Sequence, residues 1–573
     1  MKFFLKKIFY PLSSKEYKNL LIIIFFSLFS AIFEILGIGL IIPILNIFVG
    51  NDYQNYIDFF PSLGDYNQGK LIKIILIIFI IIFIIKFIIN IFLVVRRNKF
   101  SNELFANLSK KFFKYYLNKD YIFHIQNHSS ILIRNVTHET NIYSFGIILK
   151  SITIISELIV FISISIFLLI YNFKASLFTI VFFSILSFGM YKISNQKLKK
   201  LGKIRQFHSA KYIKQLQQGF LSFREIIINR LHLSLLNKFS YHITESALTN
   251  KTRDTIMELP RFIFELIGVI LIVLLFLFMS FLEYAIFDII VTLGVFFYAT
   301  IRLLPSISKI LQSLQSIRFN MPATDVVYFG IKDIEKEKNF KKEVSDVNRI
   351  NTFNKLEFKQ VNYFYPGEKE NILKNLNIKI NSGDKIGLVG KTGSGKSTFV
   401  NLLCGMLKSS SGKIQVDEKP LYQILNYWQK QIGYVPQTVS IFDESILFNI
   451  TLQENEDKVD LFQVDKILKL LDLDYFVNNL PFKLKEFVGE NGAKLSGGQC
   501  QRLGIARALY KKPSLIILDE ATNGLDKETE DMILEKLFIN TPDLTIISIS
   551  HKDNALKYCN RIFTVKDQLI KES

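Results

Sequence analysis

The sequence predicts two domains of different class: an all-α membrane domain of six helices, followed by a soluble α/β domain. Three observations carry this. Half of the 573 residues are apolar, aromatics reach 14%, and charged residues fall to 21%, below the ~25% of soluble domains. Mean hydropathy is +0.27 over the whole chain, which excludes a disordered protein and an ordinary soluble enzyme. Apolar runs recur through the first half, whereas from about Asn351 glycine becomes frequent and short β-branched runs alternate with amphipathic segments. That second pattern is the one of alternating strands and helices.

A bilayer crossing needs about 20 apolar residues. Six runs meet this, at Leu20–Phe48, Leu71–Val95, Phe145–Ile170, Ala175–Tyr191, Phe262–Leu282 and Phe287–Ile310. The first is too long for a cleavable signal peptide, and no A-x-A-like site follows it. The net charge of +20 gathers at span ends, which argues against nucleic acid and for basic cytoplasmic loops. Lys2, Lys6, Lys7, Lys15 and Lys18 precede the first span, Arg96, Arg97 and Lys99 follow the second, and Lys197–Lys214 follow the fourth. Basic loops face the cytoplasm, so both termini of this multi-pass protein are expected there. The connections at 97–144 and 192–261 are long and keep apolar residues at helical spacing, as in Leu104, Leu108 and Phe112. Spans two to five should therefore continue as helices beyond the membrane, reversing near Asp120–Ser130 and His208–Phe223. Tyr53, Tyr56, Phe59 and Phe60 in the first outer loop suit an interfacial belt.

The segment Glu335–Asn354 is charged and poor in large apolar residues, and reads as a linker. Domains are expected at 1–334 and 355–573, with the linker at 335–354. Cys404, Cys500 and Cys559 are the three cysteines, too few and too clustered for a disulfide framework.

The strongest local signal is Gly390-Lys391-Thr392-Gly393-Ser394-Gly395-Lys396-Ser397-Thr398, after a strand (Lys385–Val389) and before a helical run (Phe399–Leu407). This is the context of a phosphate-binding loop. Its glycines let backbone N–H groups turn onto β- and γ-phosphates, Lys396 adds a point charge, and Ser397 offers a hydroxyl to Mg²⁺. Leu515–Leu518 is a buried strand that delivers Asp519 and Glu520 at its end; Asp519 suits Mg²⁺, and Glu520 suits a general base acting on water. Ser496-Gly497-Gly498-Gln499 opens a third helix and makes a second anion site. The first loop already serves this chain's own phosphates, so the second site makes sense facing another subunit.

With these motifs in order, the chain resembles an ATP-binding-cassette exporter half-transporter over nearly its full length. The resemblance implies ATP and Mg²⁺ as ligands and an α/β P-loop nucleotide-binding domain behind the membrane helices. It implies that Tyr365 stacks on adenine, that Gln437 reaches Mg²⁺, that His551 contacts the γ-phosphate, and that Asp526 belongs to the nucleotide site. It also implies a dimer, either a homodimer or a heterodimer with a related half, with two hydrolysing sites between the subunits. Asn523-Gly524-Leu525-Asp526 departs from the usual Ser-Ala-Leu-Asp, and Cys500 stands where a polar residue is usual.

The cargo must be read from charge inside the spans. Lys86, Arg261, Arg302 and Lys309 lie within or at the ends of spans, where an unpaired cation costs about 2.5–3.5 kcal/mol. They either pair with Glu34, Glu157 and Glu265, or line a cationic cavity for an anionic head group. The stretches Met257–Gly268 and Tyr298–Ser306 are similar to bacterial lipid-linked oligosaccharide flippases of protein N-glycosylation. That resemblance implies a polyprenyl-pyrophosphate glycan as cargo, membrane lipids as surroundings and the bacterial inner membrane as location. A general lipid or multidrug exporter, or an ATP-driven regulator that moves no cargo, are the alternatives.

Overall fold

The computed structural model describes residues 2–50, 68–281, 283–341, 353–368, 370–550 and 556–572. Tyr53, Tyr56, Phe59, Phe60 and His551 lie outside them. Two compact units form, Met1–Lys119 with Gln126–Asn339 and Asp120–Ile125 with Phe340–Ser573.

Among the described residues of the first unit, six helical stretches are long and apolar enough to cross a membrane. Their main helices are α1 (Ser14–Gly39), α2 (Gln68–Leu117), α3 (Leu149–Tyr171), α4 (Phe173–Leu221), α5 (His232–Phe281) and α6 (Ile286–Lys341). The α2 helix has 50 residues. At 1.5 Å each it is about 75 Å long, more than twice the ~30 Å hydrocarbon core. It continues because apolar residues recur every three or four positions, and Leu104, Leu108 and Phe112 are all buried.

Two boundaries differ from expectation. The α4 helix runs through His208 to Leu221, so the reversal falls at 222–231, around the short helix Phe223–Ile228 and Arg230 at φ 51°. Lys, Gln and Leu dominate the end of α4, and such good helix formers outlast the apolar run. For the same reason α6 passes through Glu335-Lys336-Glu337 to Lys341, into the segment expected as linker. The first reversal lies where expected, with a short helix at Tyr121–Gln126. Its residues 120–125 belong to the second unit, where Ile122 packs against the apolar core.

Close packing inside the first unit depends on small residues. A Cβ on Gly202 of α4 would lie 1.9 Å from the carbonyl oxygen of Phe319 on α6. Upstream of α3 the helix passes through π-helical turns at Asn135–Glu139 and Ile142–Ile148. The first buries Glu139 within 3.6 Å of Arg134 and 3.5 Å of Arg205.

In the second unit, β1 (Lys355–Tyr363), β2 (Leu373–Asn381), β4 (Ser411–Val416) and β5 (Lys419–Pro420) form an antiparallel sheet in the order β2-β1-β4-β5. A larger sheet has the order β10-β9-β3-β8-β7-β6. Its members are β3 (Lys385–Gly390), β6 (Ile432–Val435), β7 (Leu515–Asp519), β8 (Thr545–Ile549), β9 (Arg561–Lys566) and β10 (Leu569–Glu572). The β3, β8, β7 and β6 strands run parallel. Leu515–Leu518 and all of β8 are buried, as expected of parallel strands covered on both faces.

Candidate functional site

The phosphate loop joins β3 to helix α7 (Lys396–Leu403). Gly393 and Gly395 have φ of +80° and +107°, conformations open to glycine without strain. The turn leaves the first N–H groups of α7 without intrahelical partners, and these favour an anion. Lys396 is buried, and its Nζ donates to the carbonyls of Gly390 (2.6 Å) and Lys391 (3.1 Å). Its charge is thus held over the loop. The buried Oγ of Ser394 has no hydrogen-bond partner among the described residues, which fits a loop built to receive a ligand. Lys391, Thr392 and Ser397 are exposed around it. The Tyr365 hydroxyl lies 3.5 Å from that of Thr398.

Since β8 separates β3 from β7, the carboxyl ends of those two strands stand about 10 Å apart on the same edge. The loop therefore faces Asp519 and Glu520. Asp519 accepts a hydrogen bond from Tyr434 at 3.2 Å. Burial is the largest influence on Asp519 and, with the neighbouring Glu520, pushes its carboxyl above the usual range against the pull of Tyr434 and Lys396. Glu520 follows β7 at φ 51°, a left-handed conformation that costs a non-glycine residue on the order of 1–3 kcal/mol. Its Oε2 accepts from Gln437 Nε2 at 2.8 Å and from Asn523 Nδ2 at 2.9 Å.

Helix α8 (Gly497–Tyr510) is capped by Ser496. Ser496 Oγ accepts from the Gln499 N–H at 3.2 Å, and Gln499 Oε1 accepts from the Ser496 N–H at 2.8 Å. Among the described residues no hydrogen bond links 496–499 to the phosphate loop. Asp526 caps α9 (Lys527–Ile539), accepting from the Thr529 N–H at 2.9 Å. That bond holds its carboxyl below the usual range.

In the membrane unit a polar cavity of about 330 Å³ is lined by Lys86, Asn90, Arg97, Glu157, Arg302 and Lys309, with Ser27, Ser30 and Ser156. Arg302 Nε and Lys86 Nζ reach the two oxygens of Glu34 at 2.5 and 2.9 Å. Lys309 and Ser306 bond Glu157 at 2.9 and 2.8 Å. Arg97 donates to Ser27 at 3.4 Å. Four cations thus face two carboxylates, a formal excess of +2.

Residues 373–523 match the family model described as ABC transporter. Over 476 residues the chain is 27% identical to an ATP-dependent lipid A-core flippase of Pectobacterium atrosepticum, covering 82% of this chain and 80% of that protein. It is 36% identical over 218 residues to ABC transporter B family member 29, chloroplastic, of Arabidopsis thaliana, covering 38% and 34%. Its fold matches a solved bacterial Atm1-family ABC exporter with ATP bound, with a TM-score of 0.74 at 17% identity over 98% and 95% of the two chains. With six apolar helices ahead of an ABC transporter cassette, these likenesses support an ATP-hydrolysing transporter.

The transporter has the architecture of an exporter half: six membrane helices followed by one nucleotide-binding domain. Its cassette places Lys396, Asp519, Glu520 and Gln437 along one edge of the larger sheet. The four membrane cations divide differently. Lys86, Arg302 and Lys309 are both paired and cavity-lining, so the two readings of their charge were not exclusive. Arg261 is exposed and pairs with Glu265 one turn on at 2.8 Å, in a separate cleft with Ile301, Leu304 and Pro305 that Lys309 also lines. It stands apart because positions 261 and 265 share an outward face of α5. Arg97, read from the sequence as a loop cation, lines the polar cavity with Lys86 and Arg302 instead. Its signal was its place one turn beyond Leu93 on an unbroken helix.

Proposed function

We propose that the transporter works as a homodimer in the bacterial inner membrane, both termini cytoplasmic, and flips an anionic lipid-linked substrate. The cargo in this reading is a polyprenyl-pyrophosphate-linked oligosaccharide. The cavity excess of +2 carries the proposal. Arg302 and Arg97 offer planar donors suited to bidentate phosphate recognition, and Lys86 and Lys309 add point charges. Glu34 and Glu157 hold these cations in place at a tolerable cost until an anion competes for them. The glycan would then cross beside the cations while the lipid tail stays in the bilayer.

In the cassette, Lys396 and the N–H groups of 390–398 hold the phosphates, and Tyr365 stacks on adenine. Ser397, Gln437 and Asp519 would hold Mg²⁺, which when bound neutralises charge on the β- and γ-phosphate oxygens. Glu520 orients the attacking water and takes its proton. His551 is assigned the γ-phosphate. Ser496, Gly497, Gly498 and Gln499 are assigned the nucleotide of the partner subunit: within one chain Ser496 and Gln499 cap each other, and among the described residues none of the four bonds the phosphate loop. Asp526 completes that edge.

ATPase activity of the full chain in lipid vesicles, with and without a polyprenyl-pyrophosphate glycan, tests the proposal. Stimulation by that glycan, lost in Arg302→Ala, supports it; a rate indifferent to the glycan in both proteins overturns the cargo assignment. A second reading takes lipid A-core as cargo, favoured by the relatives named as its flippases. Stimulation by lipid A-core alone would select it. Stimulation by apolar drugs that survives Arg302→Ala would select a general exporter, and hydrolysis without transport of any cargo would select a regulator.

A further inference from the structure

The turn after β7 carries the chain's departure from the usual cassette pattern, and the two altered residues make two specific contacts. Asn523 Nδ2 donates to Glu520 Oε2 at 2.9 Å, the same oxygen that Gln437 holds from the other side. Gly524 donates its N–H to Oε1 of Gln501, on α8, at 2.7 Å. A Cβ on residue 524 would lie 2.8 Å from that Gln501 oxygen and 3.1 Å from its Cδ, so the alanine usual at this place would displace Gln501. Gly498, at the first turn of α8, also sits where a Cβ would meet the Gly524 carbonyl at 3.1 Å. Asparagine and glycine are thus a matched pair: one supplies a donor to the carboxylate, the other admits the neighbouring helix.

We propose that Asn523 is a positioning residue for Glu520, and that Gly524 ties this carboxylate to α8 through Gln501. The aim of the base and the place of the Ser496 segment are then coupled within one subunit. Glu520 has two amide donors on one oxygen, and its backbone is already in the left-handed region. Releasing one donor frees the side chain to leave its orientation towards water, whereas nucleotide contacts at Lys396 are untouched. The step that suffers is proton abstraction, so kcat falls and KM for ATP does not.

This rests on Glu520 being the base, and the experiment separates the two. Steady-state ATPase kinetics of the full chain in lipid are compared for wild type, E520Q, N523A, N523D, G524A, Q501A and the G524A/Q501A pair. N523A is expected to lower kcat about tenfold with KM within twofold, the size of one charge-assisted hydrogen bond. N523D, of the same shape but without the donor and with a like charge, should fall further. G524A and Q501A should each lower kcat, and the double variant should be no worse than either alone, because they break one contact. Asn523 and Gly524 are exposed, so these changes leave the fold intact. Wild-type kcat in N523A or N523D, a change in KM instead of kcat, or additive losses in the G524A/Q501A pair overturn the inference. If E520Q hydrolyses ATP like wild type, the assignment of the base fails as well; if E520Q is inactive while N523A and N523D keep wild-type kcat, the positioning role alone fails.

Discussion

Arg302 donates its Nε–H to Glu34 at 2.5 Å across 268 positions of sequence, joining α6 to α1 inside the membrane unit. Glu34 is 1% exposed and also holds Lys86 of α2. Three helices therefore meet on one carboxylate.

Replacing Glu34 by Gln leaves two cations facing each other without their anion. Removing one member of a buried ion pair costs about 3–5 kcal/mol. The expected outcome is a lower thermal unfolding midpoint in detergent, measured against Lys86→Met/Glu34→Gln, which should recover part of the loss.

Arg97→Ala should cut the ratio of substrate-stimulated to basal ATPase activity as strongly as Arg302→Ala. A loop arginine would leave that ratio unchanged, so the same vesicle assay separates the two placements.

Gly202→Ala should destabilise the membrane unit by about 1–3 kcal/mol through overpacking. The obstacle is the Phe319 main chain at 1.9 Å, which cannot rotate away as a side chain would. Lower yield of monodisperse protein and a lower midpoint would report it, while Gly189→Ala, with nothing within 4 Å, serves as the neutral control.

Burial pushes the thiols of Cys404 and Cys559 up to about 12. At pH 8 about one in ten thousand would be thiolate, the reactive form. Both should resist iodoacetamide in the folded protein at pH 8, gain reactivity only as pH rises towards that value, and react fully in denaturant. Mass spectrometry of the labelled peptides checks each site.

How much of this was legible in sequence depended on the distance over which the signal acts. The phosphate loop and the Asp519-Glu520 pair are local patterns whose chemistry follows from neighbours a few positions away. The six spans were equally plain, because hydropathy needs no partner. Helix ends were not: His208 sits inside α4 because Lys, Gln and Leu sustain a helix after hydropathy has faded. The pairing of Lys86, Arg302 and Lys309 could be named as a possibility, but choosing Glu34 and Glu157 over Glu265 requires knowing which helix faces turn together. Arg97 was hidden by its basic neighbours Arg96 and Lys99, which look alike in one dimension and point different ways on a helix. The Asn523-Gly524 departure was visible as a substitution, while its partners Glu520 and Gln501 became evident only with the turn folded.

The length of α2 has a mechanical consequence. A rod of about 75 Å that tilts by one degree about one end moves its other end by about 1.3 Å. With helices this long, a few degrees of rocking amount to the width of a phosphate group. Rotation too slight to disturb side-chain packing near the pivot is thus several ångströms of travel at the far tip.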